Sequence, residues 1–257
     1  MINLVTGVLA CALCFWNNHK PEEAPREMRT TEQVFELGTS KVRIITHEKG
    51  TGYTYFSMHN DEEESIHAGI AMVRKYGGRL VELKHDGARN ISFQLDGRTY
   101  TFDPNRIFTE AGIGKVLGTA RGDYPILAHM LLRSFADTLL QQLRLPYLNG
   151  NTLVALHNNS DGGGYSIDQY THGSYVRDAS DHHVNPDMDP DDLFFVTKRE
   201  TFEKLRAADV NVVLQSRRPT DDGSLSVFSA RLGIDYINVE AEDGATKRQT
   251  RMLELLH

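Results

Sequence analysis

From about Gln33 the chain alternates short β-branched or aromatic runs with segments of helical period. Residues 41–46 and 53–58 are two such runs around a Gly-rich turn, and they predict a pair of strands. Residues 63–76 place Ile66, Ile70 and Val73 on one stripe and stop at Gly77-Gly78, which predicts a helix. Short strands are expected over 79–83, 90–95 and 98–102, and the strongest helical pattern in the chain covers 124–143. A second series follows: an apolar strand over 152–156, a Gly-rich loop, a strand over 193–197, a helix over 198–208, strands over 210–215 and 236–239, and a C-terminal helix from Thr246. Runs such as 210–214 are almost continuously apolar, which suits strands covered on both faces. The pattern therefore predicts a single α/β/α domain over residues 36–257, built on a mixed, mostly parallel sheet. In such sheets chemistry gathers in loops beyond strand ends.

The first 16 residues stand apart. Residues 2–16 are apolar but short of the roughly 20 needed to span a bilayer. They resemble a signal-peptide core, although no Lys or Arg precedes the run. Both cysteines, Cys11 and Cys14, lie there, so a cleaved chain forms no disulfide. Ala10 before Cys11 is compatible with an N-terminal lipid anchor, whereas Leu9 and Leu13 depart from that pattern. The expectation is a periplasmic or secreted protein; an uncleaved segment would instead be an N-terminal helix or strand of a cytoplasmic one. Residues 17–35, polar and carrying Pro21 and Pro25, read as a linker.

Composition narrows the partners. Lys and Arg number 28 against 35 Asp and Glu, a net charge of −7, and no window is strongly basic. Nucleic-acid binding, which needs a concentrated basic surface, is not expected. A mean hydropathy of −0.42 and the lack of a longer apolar run exclude an expected membrane span.

Polar clusters follow several predicted strands. His59-Asn60-Asp61-Glu62 sits between a strand and a helix, where an imidazole and a carboxylate three residues apart can converge on one cation. The plainer alternative is that His59 ends a strand while Asp61 to Glu64 favour the positive end of a helix dipole. His157 follows the apolar run 153–156, and Asp103-Pro104-Asn105-Arg106-Ile107-Phe108 follows the strand 98–102. Near the C-terminus Glu240 and Glu242 share one strand face, because residues i and i+2 point the same way.

His-x-x-Glu, Asp-x-Asn-Arg-x-Phe, a later strand-end His and a late strand-end Glu, in that order over about residues 41–245, resemble the zinc carboxypeptidase superfamily. The likeness is closest to its aspartoacylase and succinylglutamate desuccinylase branch. The resemblance implies one zinc per chain held by His59, Glu62 and His157, and a substrate carboxylate bound by Asn105 and Arg106. It further implies an oxyanion-stabilising Arg98, which on residue context alone is equally a turn residue after Asp96-Gly97. Glu240 would be the general base, with Glu242 in reserve. There are departures from the family pattern. No tyrosine occurs in residues 217–226, some twenty residues before the base, where peptide-trimming members carry one, and only 17 residues follow Glu240. Residues 161–167 and 178–192 read as insertions that shape the pocket.

Other motifs fail on spacing. The acidic run from Asp187 lacks Gly at the sixth and Glu at the twelfth position of a calcium loop, and His182-His183 reads as part of a solvated loop. Neither a dinucleotide fingerprint nor a nucleophilic serine motif is present. The expected function is zinc-dependent hydrolysis of an amide bond in a carboxylate-bearing small peptide. The alternatives are an N-acyl amino acid deacylase of the same fold and a non-catalytic protein that binds zinc and a carboxylate.

Overall fold

The computed structural model describes residues 27–118, 125–145, 152–160 and 165–257. The signal-like segment 1–16, residues 17–26 of the expected linker and the glycines of the loop at 161–164 lie outside the described residues.

The strands are β1 (Arg29–Leu37), β2 (Ser40–Lys49), β3 (Thr54–Ser57), β4 (Gly78–Lys84), β5 (Ile91–Leu95), β6 (Arg98–Phe102), β7 (Leu153–Asn159), β8 (Ala179–His183), β9 (Leu193–Val196), β10 (Val212–Gln215) and β11 (Tyr236–Glu242). The helices are α1 (Glu63–Tyr76), α2 (Glu110–Val116), α3 (Ile126–Gln142), α4 (Asp168–Thr171), α5 (Arg199–Ala207), α6 (Leu225–Arg231) and α7 (Thr246–Glu254). Nine strands form one sheet in the order β1-β2-β4-β3-β7-β11-β9-β10-β8, and β5 and β6 form a separate hairpin. The sheet is mixed as expected: β4, β3, β7 and β11 run parallel at its centre, and antiparallel pairs flank them.

Central strands are buried on both faces, and alternation divides their side chains between two cores. Phe56, Leu153 and Ala155 join Ile113 of α2, Leu132, Phe135 and Leu139 of α3 and Leu225 of α6 on one face. Tyr55, Val154 and Leu156 join Met72 and Val73 of α1, Phe202 and Leu205 of α5 and Leu253 of α7 on the other. The result is the α/β/α layering that the pattern predicts.

Three expectations need correction. Strands 41–46 and 53–58 are not partners, since β4 lies between β2 and β3. All four residues of β3 are buried, so it belongs in the sheet centre, and α1 carries the chain back to lay β4 parallel beside it. Gly77 permits this entry: its φ is +80°, and a Cβ there would stand 2.7 Å from the Thr51 carbonyl oxygen and 2.8 Å from that of Lys49. Part of the expected linker is also a strand. β1 pairs antiparallel with β2, and its first six residues are exposed, so it carries no apolar alternation to read. Third, His182 and His183 lie on β8, an edge strand paired with β10, rather than in a loop.

Candidate metal centre

His59 lies two residues beyond β3, Glu62 is the N-cap of α1, and His157 and Glu240 lie near the carboxyl ends of β7 and β11. The parallel register sets Glu240 opposite His157 and Leu156 opposite Ser57. Helix α1, which follows β3, packs on one face of the sheet and α3, which precedes β7, on the other, and the polar groups gather at the carboxyl ends of these strands. α1 starts as the sequence predicts, with Glu63 and Glu64 in its first turn, while Glu62 turns inward and is 3% exposed. The cluster therefore divides: Glu63 and Glu64 face the helix dipole, whereas Glu62 faces His59 and His157.

The imidazoles of His59 and His157 and the carboxylate of Glu62 converge. Their nearest ligand atoms all lie within 4.8 Å of one another, and all three residues are buried. His59 Nδ1 is 2.8 Å from Glu62 Oε1 and 3.1 Å from His157 Nδ1, which is 3.2 Å from Glu62 Oε2. Donors bound tetrahedrally to zinc at 2.0–2.1 Å stand about 3.3 Å apart, so this donor set fits that ion with little movement. Glu62 Oε2 is buried, and its contact with His157 Nδ1 at 3.2 Å lacks hydrogen-bond geometry. Such an atom is costly unless it meets a cation.

The supporting residues suit the same reading. His59 Nε2 hydrogen-bonds to Asp103 Oδ1 at 2.9 Å, the carboxylate contact that orients metal-bound imidazoles. The backbone carbonyl of His157 accepts a hydrogen bond of 2.9 Å from Gln249 Nε2, and Asn158 Oδ1 accepts one from the Ser65 amide at 2.9 Å, which ties α7 and α1 to the strand end. Burial depresses the pKa of His59, but Glu62 and Asp103 outweigh it and push the imidazole up to about 9. Burial would raise Glu62 and Asp103, yet His157 and His59 beside Glu62, and His59 and Arg106 beside Asp103, hold both well below the usual carboxylate range. The cluster as it stands thus holds a proton where a metal would supply positive charge.

A cleft of about 520 Å³ opens over this group, a size suited to a small ligand. Tyr236, Asn238 and Glu240 line it from alternate positions of β11. Glu240 is 7% exposed and accepts a hydrogen bond of 2.9 Å from Asn238 Nδ2; burial, with the charge of Glu62 nearby, raises its pKa. Glu242 lies outside the lining and pairs with Arg248 at 3.1 Å. Asn105 and Arg106 line the cleft as well. Asn105 Oδ1 accepts from the Leu225 amide at 2.9 Å, and the Arg106 guanidinium lies 3.4 Å from Asp222.

Arg98, like Glu242, lies outside the cleft lining. It is the exposed first residue of β6, opposite Leu95 beside the Asp96-Gly97 turn, and is not among the lining residues. Arg89 lines the cleft instead and donates to Glu62 Oε1 at 2.6 Å. Its position in an irregular stretch between β4 and β5 left no spacing signal. Tyr165, from the first segment read as an insertion, and Tyr170 and Tyr175, which follow it, also line the cleft, with the Tyr165 and Tyr170 hydroxyls 2.7 Å apart. Among the described residues no helix is long and apolar enough to cross a membrane.

No protein-family model matches the chain, and a search of curated proteins gives no match. Among solved structures the chain is similar to a succinylglutamate desuccinylase/aspartoacylase from Rhodobacter sphaeroides, with 18% identity and a TM-score of 0.42. It is also similar to a succinylglutamate desuccinylase from a Silicibacter species, with 13% identity and a TM-score of 0.42. These matches cover 90% and 89% of this chain but 65% and 66% of the solved chains, so it spans just under two thirds of their length.

Proposed function

We propose that the chain is a zinc-dependent hydrolase of the carboxypeptidase and aspartoacylase superfamily that cleaves an amide bond in a small substrate bearing a carboxylate. The observation that carries this reading is the convergence of the buried His59, Glu62 and His157 on a cleft that also contains the buried Glu240. Bound there, zinc supplies a Lewis acid that polarises a carbonyl and makes water more acidic.

The rest is the work of this chain's residues. Glu240, with its pKa raised by burial, takes a proton from the attacking water and passes one to the leaving nitrogen. Arg89 places a permanent positive charge where the carbonyl oxygen becomes negative, the role expected of Arg98. Arg106 and Asn105 hold the substrate carboxylate, Arg106 through a planar fork that Lys cannot reproduce. Asp103 fixes the ring of His59. Export to the periplasm or cell exterior is part of the same proposal, and rests on the apolar segment 1–16 alone.

Metal analysis of the purified chain tests the centre: about one zinc per chain is expected, and none in a His59→Ala/His157→Ala variant. Zinc-loaded protein is then assayed with short peptides and with N-acyl amino acids. Turnover of either class, reduced about 10²- to 10⁴-fold in Glu240→Gln with zinc retained, supports the reading. Absence of zinc from the wild type after reconstitution would sink it, and zinc without turnover would leave a binding protein.

A further inference from the structure

A second cavity, also about 520 Å³, adjoins the metal cleft and shares Gln215, Pro219 and Val227 with it. Its charge is opposite. The metal cleft is lined by seven carboxylates, among them Asp61, Asp178 and Asp243, whereas no carboxylate lines the second cavity. Lys198, Arg217, Arg218 and Arg231 line it instead, in a chain of net charge −7. Arg231 pairs with Asp221 at 2.7 Å, but Lys198, Arg217 and Arg218 make no ion pair with any described residue. These cations come from separate places: the N-cap of α5, the segment after β10 and the end of α6. Gly233, with φ +69°, bends the chain after α6, and Lys198 Nζ is 4.0 Å from where a Cβ on it would stand.

The wall between the two cavities carries a further unmet group. Gln215 is 6% exposed, its Nε2 donates to Ser226 Oγ at 3.4 Å, and its Oε1 is buried without a donor. A buried amide oxygen in that state calls for an N–H. A peptide chain passing from one cavity to the other would bring one.

We propose that the second cavity is an anion subsite of the same binding surface, which takes a carboxylate or phosphate group carried by an extended substrate beyond the bond that is cleaved. Guanidinium groups suit both anions through paired N–H donors. The anion site stands on Lys198, Arg217 and Arg218; its service to an extended substrate, to which the unmet Gln215 oxygen adds an N–H requirement, rests on the hydrolase reading above.

Calorimetric titration of the full chain with inorganic pyrophosphate and, separately, with triglutamate tests the site without requiring activity. At least one of the two is expected to bind saturably at about one per chain, and to bind at least about tenfold more weakly to Arg217→Gln/Arg218→Gln and to Lys198→Gln. Binding of pyrophosphate alone identifies a phosphate site, and of triglutamate alone a carboxylate site. His59→Ala/His157→Ala, which removes the proposed metal centre, should bind the same anion unchanged. Failure of both anions to bind the wild type, or binding that survives the Arg and Lys substitutions, overturns the proposal. Loss of binding only in the histidine variant would put the anion on the metal centre, overturning the subsite but not the hydrolase reading.

Discussion

The sheet contains two pairs of a histidine and a buried glutamate in hydrogen-bond contact, and they differ in kind. His47 Nε2 lies 2.9 Å from Glu82 Oε1 across β2 and β4, and His59 Nδ1 lies 2.8 Å from Glu62 Oε1 at the end of β3. Both glutamates are almost fully buried, at 4% and 3% exposure. His47 is satisfied on its other side by the Thr30 hydroxyl at 3.0 Å, and the pair lines no cavity described above. His59 is held on its other side by a carboxylate, faces a second imidazole, and adjoins the cleft. Contact between a histidine and a glutamate therefore does not by itself mark a candidate metal site. What sets the candidate site apart is the convergence of a third donor at the carboxyl ends of parallel strands.

The largest effect that separates the two pairs is on zinc itself. Glu62→Gln removes a charged ligand and is expected to weaken zinc binding by more than about 100-fold, beyond the range seen for supporting residues. Glu82→Gln should leave zinc affinity at the wild-type value. Competition with a chelator measures both, and equal losses in the two variants would erase the distinction. Asp103→Asn comes next, because it keeps the shape of the contact to His59 Nε2 but removes the charge: a loss of about 10- to 100-fold is expected, without loss of stoichiometry at saturating metal.

These variants also show what could be read from the chain. That His59, Glu62 and His157 come together was legible because they fall at or just beyond the carboxyl ends of apolar strands, where such sheets gather polar groups. Helix α1 and strand β6 match their predicted spans, since periodicity there coincides with two-sided punctuation by Gly or polar turns. The neighbours of β3 were not legible, because sequence order favours pairing with β2 while full burial demands the centre of the sheet. β1 was hidden by its exposure on both faces. Arg98 matched by spacing, yet the hairpin holds it outside the cleft lining, and Arg89 arrives from a segment without any period. Asp103 stood in the motif without a role until His59 Nε2 was placed beside it.

Acidity sharpens the comparison further. In the metal-free chain the His59 imidazole is raised to about 9 by Glu62 and Asp103 despite its burial, so below that pH a metal must displace its Nδ1 proton. Zinc affinity is then expected to rise with pH by about tenfold per unit until about pH 9 and to flatten above it, because the proton competes only while it is bound. Asp103→Asn removes part of what raises His59, so its profile should flatten at a lower pH. A wild-type affinity that is flat between pH 6 and 8 would show that His59 is not the proton-bearing ligand.

The smallest expected effect belongs to the other pair. His47→Ala leaves Glu82 Oε1 without its imidazole partner, in a carboxylate whose Oε2 already has no hydrogen bond and whose nearest cation, Lys84, stands 3.8 Å away. Leaving a buried acceptor unmet costs about 1–3 kcal/mol, so denaturant unfolding should shift by that amount while zinc affinity stays unchanged. The two readouts separate the roles: the pair at β2 and β4 acts on stability alone, whereas the pair at β3 acts on the metal. If His47→Ala weakened zinc as Asp103→Asn does, the flank of the sheet would be coupled to the centre, and the contrast between the two pairs would be one of distance rather than of kind.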